Sequence, residues 1–114
     1  MGMWGLDPWD NDAAADWFGD LMDTTQLRRH WLSAIEGDAE DDPERVRAAV
    51  WLFLQLGRVY VWPIDHLESD LELAIRAAER LKSNEELLEV DGIGSKFERE
   101  YRELVAQRRP EPTA

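Results

Sequence analysis

Helix start and stop signals recur along the whole of this 114-residue chain, while a single short stretch favours extended backbone. Asn11 and Asp12 are good caps for a helix that runs through AAADWFGDLM to about Met22. Thr24 or Thr25 can cap a second, on which Leu27, Trp31, Ala34 and Ile35 form one apolar stripe, and Gly37 ends it. After a loop over 37–41, Asp42 followed by Pro43 supplies a capping acid and a proline preset for the first helical turn; that helix runs to about Leu56, where Gly57 stops it. Asp65-His66-Leu67-Glu68 and Ser69-Asp70-Leu71-Glu72 both carry the capping-box pattern. They precede a helix to about Leu81 with Leu71, Ala74, Ile75, Ala78 and Leu81 facing inward. Ser83-Asn84-Glu85-Glu86 opens a short helix through Val90, and Asp91-Gly92-Ile93-Gly94 is a turn. Ser95-Lys96-Phe97-Glu98 starts the last helix, striped by Phe97, Tyr101, Leu104 and Val105.

The stretch Arg58-Val59-Tyr60-Val61-Trp62-Pro63 is β-branched and aromatic, but one isolated strand cannot make a sheet, so it reads as a loop. The expected fold is therefore all-α. It is a compact single-domain bundle of five or six helices over residues 1–109, with a Trp-anchored N-terminal arm and a frayed tail over 110–114. Six tryptophans give so short a chain the means to bury a real core. Trp17, Trp31 and Trp51 sit among apolar neighbours at helical positions and read as core. Trp4, Trp9 and Trp62 fall outside helices and read as covers for helix ends and pins for the arm, their indole N–H groups bonded to carbonyls.

Charge divides the chain unequally. The net charge is −12, and residues 1–44 carry twelve acids against Arg28 and Arg29, whereas residues 45–114 are nearly balanced. Such a surface repels phosphate, which disfavours general binding to nucleic acid and to anionic membranes. The chain has no cysteine, so disulfides, thiolate chemistry and cysteine-based metal sites are excluded, in keeping with a cytoplasmic protein. The first 20 residues lack a basic leader region, and the longest apolar run, Val50 to Leu54, is far short of the roughly 20 residues that span a bilayer. Met1-Gly2 is not a myristoylation signal, because Leu6 stands where Ser or Thr is needed.

The first helix concentrates the imbalance. At about 100° per residue, Asp12, Asp16, Asp20 and Asp23 share an arc of about 80°, with Ala14, Trp17, Phe18, Leu21 and Met22 opposite. Like charges four apart each cost the helix about 0.2–0.5 kcal/mol. Asp20 and Asp23 also lie at the unfavourable end of the helix dipole. A solvated acidic face accounts for the pattern; so does a recognition face for a basic protein, with Asp12, Asp16, Asp20 and Asp23 as its contacts.

Two rival chemistries compete with that reading. Leu87 to Lys96 looks like the hairpin of a helix-hairpin-helix DNA-binding element, in which Gly92 and Gly94 would expose backbone N–H groups to a phosphate and Lys96, Arg99 and Arg102 would add positive charge. Bulky Phe97 and the neighbouring Glu98, Glu100 and Glu103 oppose that reading, and a glycine turn between two helices explains the residues equally well. A carboxylate-based metal-dependent hydrolase would draw on Asp10, Asp12 and Asp16, with Asp7 nearby, but the spacing is not that of a calcium-binding loop. His30 and His66 lie far apart, and the chain has no nucleophile elbow, P-loop or His-Glu-x-x-His, so no catalytic residue, resident metal or cofactor is expected.

The first 17 residues, MGMWGLDPWDNDAAADW, resemble an uncharacterised bacterial family of small acidic proteins. Its members open with Met-Gly-x-Trp-Gly, followed by an aromatic, an acid, Asn-Asp, and Ala and Asp before an aromatic. Met1, Gly2, Trp4 and Gly5 match, as do Asp10, Asn11, Asp12, Ala14, Asp16 and Trp17, while Trp9 stands where the family usually has Phe. The family is a domain of unknown function, so the resemblance implies a bacterial grouping and no cofactor. The expectation is a non-enzymatic binding module for a basic protein partner, in its most concrete form an immunity or inhibitor protein.

Overall fold

The computed structural model describes residues 5–108, and within them the chain forms six α-helices and no strand. They are α1 (Asp12–Thr25), α2 (Leu27–Ile35), α3 (Pro43–Leu56), α4 (Leu67–Leu81), α5 (Glu85–Glu89) and α6 (Ile93–Ala106), with a single 3-10 turn over Ile64–His66 ahead of α4. The proline at the first position of α3 and Gly57 after its last do what their positions require. A Cβ on Gly57 would meet the Phe53 carbonyl at 2.5 Å and the Phe53 ring at 2.6 Å, so only glycine lets the chain turn off α3 this closely.

The core lies between α3 and α4. Val46, Ala49, Val50, Phe53 and Leu54 of α3 are buried against Leu71, Ala74, Ile75, Ala78 and Leu81 of α4. Alanines at 74, 77 and 78 let α4 lie close to its neighbours, and every one of them is fully buried. Trp31 and Ile35 of α2, Leu87 of α5, and Phe97 and Leu104 of α6 close the cluster from the sides. Its centre is aromatic: Trp31, Phe53 and Trp62 stand 5.1–5.6 Å apart in edge-on and tilted pairs. The Trp31 indole N–H donates to the Ala49 carbonyl at 2.9 Å, which removes the cost of burying that donor.

Several tryptophans are not where the pattern predicts. Trp17 and Trp51 are 59% and 52% exposed, not core. On each helix the ring points about 140° away from a buried neighbour, Met22 on α1 and Val46 on α3, so an apolar local sequence is no guide to its direction. Trp62 makes the opposite departure. It belongs to the core at 2% exposure, because the Val61 and Trp62 amides both donate to the Arg58 carbonyl and the tight turn swings the ring inward. Trp9 does pin the arm, with the Arg58 guanidinium 4.5 Å above its ring. Trp4 and the tail over 110–114 lie outside the described residues.

Helix starts also differ in detail. Thr24 and Thr25 do not cap α2; they complete α1, their hydroxyls donating to the Asp20 and Leu21 carbonyls at 2.8 and 2.6 Å. The break falls at Gln26, in the left-handed region at φ 53. Asn84, not Ser83, caps α5; its side-chain oxygen accepts from the Leu87 amide while its amide donates to the Ala39 carbonyl. α6 begins before Ser95, at Ile93, because Gly92 takes up a left-handed turn at φ 85. Neither box before α4 acts as a cap: the helix starts at Leu67, straight after the 3-10 turn. Among the described residues no helix is long and apolar enough to cross a membrane.

Candidate partner-binding site

α1 is the helix least absorbed by the core. Asn11 caps it, accepting from the Ala14 amide at 2.8 Å, and of its 14 residues Met22 alone is buried. Ala14, Ala15, Phe18 and Leu21 are half-buried on the same side, while Trp17 stays exposed, edge-on to Phe18 at 5.1 Å. Asp12, Asp16, Asp20 and Asp23 are all exposed. None of the four is paired with a base among the described residues. The structure thus brings the four predicted carboxylates together on one solvent-facing strip, with Trp17 along one edge.

Along the other edge of that strip runs a cleft of about 810 Å³ between α1, the start of α2 and residues 59–66. The α1 wall is made of Ala15 and Gly19, with Met22 and Asp23 towards its end. The opposite wall presents Tyr60 and Ile64, 49% and 62% exposed, with Asp65 and His66 beyond them. Two residues on these walls are locally unfavourable. Gly19 sits in the middle of a helix, where glycine costs about 1 kcal/mol relative to alanine, and a Cβ placed there would meet nothing within 4 Å. No contact among the described residues requires this glycine. Tyr60 holds φ at 72, a left-handed conformation that costs a bulky residue about 1–3 kcal/mol.

Under the cleft lies a polar cluster that the sequence analysis missed. Asp70, on the first turn of α4, is fully buried. It accepts from the Arg28 guanidinium through two bonds of 2.6 and 2.9 Å, and from the Trp62 indole N–H at 2.8 Å. The hydrogen bond to Asp70 raises the Arg28 pKa above its already high ordinary value, with partial burial acting the other way. Three elements, α2, the 58–63 loop and α4, are locked together at this carboxylate. A signal was present: Asp70 occupies the same helical stripe as Ala74, Ala77 and Leu81, and an acid on an apolar stripe has to find a buried partner. Arg28 is accordingly neutralised, whereas Arg29, which also lines the cleft, makes no ion pair among the described residues.

The other candidate residues lie away from that strip. Gly92 and Gly94 are at the start of α6, and Lys96 and Arg99 are exposed on its first turns. Phe97 beside them is 2% exposed and committed to the core. Gly94 faces α5, where a Cβ would lie 3.4 Å from the Leu88 carbonyl, an ordinary contact. Asp7 and Asp10 form a small turn of their own, the Asp7 amide donating to the Asp10 carboxylate at 3.1 Å, while Asp12 and Asp16 project from α1. Among the described residues no three His, Cys, Asp or Glu side chains gather as a metal ion would need. His30 and His66 are exposed.

In comparisons with known proteins, no family model, curated protein or solved structure matches the chain.

Proposed function

We propose that the protein is a non-enzymatic binding module of the bacterial cytoplasm whose acidic α1 face meets a basic protein partner. The observation that carries the reading is the strip of Asp12, Asp16, Asp20 and Asp23, exposed and unpaired among the described residues, on a helix whose one buried residue is Met22. The chain has bases available to neutralise carboxylates, and it uses them elsewhere: Arg28 on Asp70, Arg47 on Glu100 and Arg108 on Glu72. Four aspartates left without a partner on one strip are electrostatically unfavourable in the free protein and favourable against a cationic surface. Aligned charge of one sign speeds capture of a basic target, which suits an immunity or inhibitor protein that must intercept a toxin or nuclease.

The test is capture on the immobilised protein with salt elution, repeated with the variant Asp16→Asn/Asp20→Asn. The expected outcome is a basic protein whose association rate falls several-fold in the variant at low salt, with the dissociation rate little changed. Equal recovery and equal rates with the variant reject the reading.

A further inference from the structure

We infer that the cleft beside the acidic strip receives one basic amphipathic helix of the partner, its apolar side seated between Gly19 and Tyr60 and its cationic side laid along α1. The inference rests on the acidic-face reading and adds the form of the occupant. Three locally unfavourable choices meet at this one place: an unneeded glycine at mid-helix, a tyrosine at positive φ, and a strip of like charges. Natural chains break local rules of this kind mainly where function requires it. The glycine and the like charges have the same remedy, and the turn at Tyr60 sets an exposed apolar edge opposite them. An outside backbone passing close to α1 would use the space that Gly19 leaves open. An apolar side chain would cover the exposed Tyr60 and Ile64. Lysines or arginines one turn away would meet Asp23 on one rim and Asp65 on the other, with Asp16 and Asp20 on the exposed strip beyond the first.

Charge also selects among occupants. A second copy of this chain, at net −12, would set one acidic strip against another, and an acidic peptide would be repelled in the same way. A helix satisfies the remaining cation too, because the free carbonyls of its last turn are suitable partners for Arg29. A basic amphipathic helix lying in an apolar groove is an established mode of peptide recognition, read through anchors three and four residues apart.

The experiment uses three synthetic peptides and the full chain. The first is a leucine–lysine amphipathic helix, the second has the same composition in scrambled order, and the third replaces lysine by glutamate. Binding is followed by titration and by amide NMR shifts. The expected result is that the first peptide alone binds tightly and moves the Ala15, Gly19, Tyr60 and Ile64 amides, and that Gly19→Met weakens it at least about tenfold. Gly19→Ala should raise the Tm by about 2–6 °C through helix propensity while weakening the peptide. If the scrambled peptide binds as well, or Gly19→Met has no effect while Asp16→Asn/Asp20→Asn does, the helix-in-cleft inference falls and the acidic-face reading stands. If Gly19→Met weakens binding and the aspartate variant does not, the acidic-face reading falls. Preference for the glutamate peptide overturns both. A concentration-dependent dimer in sedimentation that Gly19→Met abolishes makes the occupant a second copy and overturns the inference.

Discussion

α1 and α4 are nearly the same length, 14 and 15 residues, and both are amphipathic, yet they belong to different kinds of surface. α4 buries seven residues, a carboxylate among them, whereas α1 buries Met22 alone. The difference lies in what each helix does with its acids. Asp70 is taken out of water and given two partners, so it ties three elements together. Asp12, Asp16, Asp20 and Asp23 stay in water without a base among the described residues. Acids of one kind are structural in one helix and left to solvent in the other, and their burial and partners distinguish them.

The strongest test of that contrast is to remove charge from both helices. Asp70→Asn leaves the Arg28 guanidinium without its counter-ion and gives the Trp62 N–H a poorer acceptor, so unfolding experiments should show a loss of about 3–5 kcal/mol. Asp16→Asn removes repulsion from Asp12 and Asp20, and the same denaturation curve should shift the other way by about 0.2–0.5 kcal/mol for each pair relieved. A mild effect at Asp70, or a large loss at Asp16, would erase the distinction between the helices.

Hydrogen exchange sharpens the comparison at a smaller scale. A helix held by one buried side chain opens without unfolding the domain, while one in the middle of the core opens only with it. Amides in the middle of α1 should therefore exchange well before those of α4 around Ala74–Ala78, and a bound partner should slow α1 selectively. Equal protection in the free protein would mean that Trp9 on Arg58 and the joint at Gln26 secure α1 as firmly as a core helix.

Most of the helices were legible in the sequence because caps and stops act locally: Asn11, the Asp42-Pro43 pair and Gly57 each mark the boundary at which the structure places it. The acidic strip was legible for the same reason, since helical periodicity alone sets it. Direction of burial was not. Trp17, Trp51 and Trp62 all have apolar neighbours, and which of them turns inward depends on how distant elements pack, a relation that no local window contains. The cleft was invisible for a further reason. Ala15 and Gly19 face residues some forty positions away, and the significance of Gly19 rests on the open space beside it.

The smallest effect concerns the acids that α4 shows to solvent. Glu72 takes both guanidinium bonds of Arg108 at 2.8 Å, tying the chain just beyond α6 back to α4. The hydrogen bonds from Arg108 hold the Glu72 carboxyl below the ordinary value of 4.5, aided by the charges of Arg108 and Arg76 and opposed by desolvation. A carboxyl with a depressed folded value binds fewer protons in the folded state than in the unfolded one. Its contribution to stability is therefore present in full above the ordinary glutamate range, and it fades as the pH falls through the lower folded value. Because the pair is half-exposed, solvent screens it and the change is slight. It should nonetheless be visible as an NMR titration of the Glu72 side chain that moves upward in Arg108→Ala, together with a flattening of the Tm-against-pH curve in acid for Glu72→Gln. An Arg108→Ala variant that leaves the Glu72 titration in place would mean that α4, like α1, carries its solvent-facing acids without using them to hold the fold.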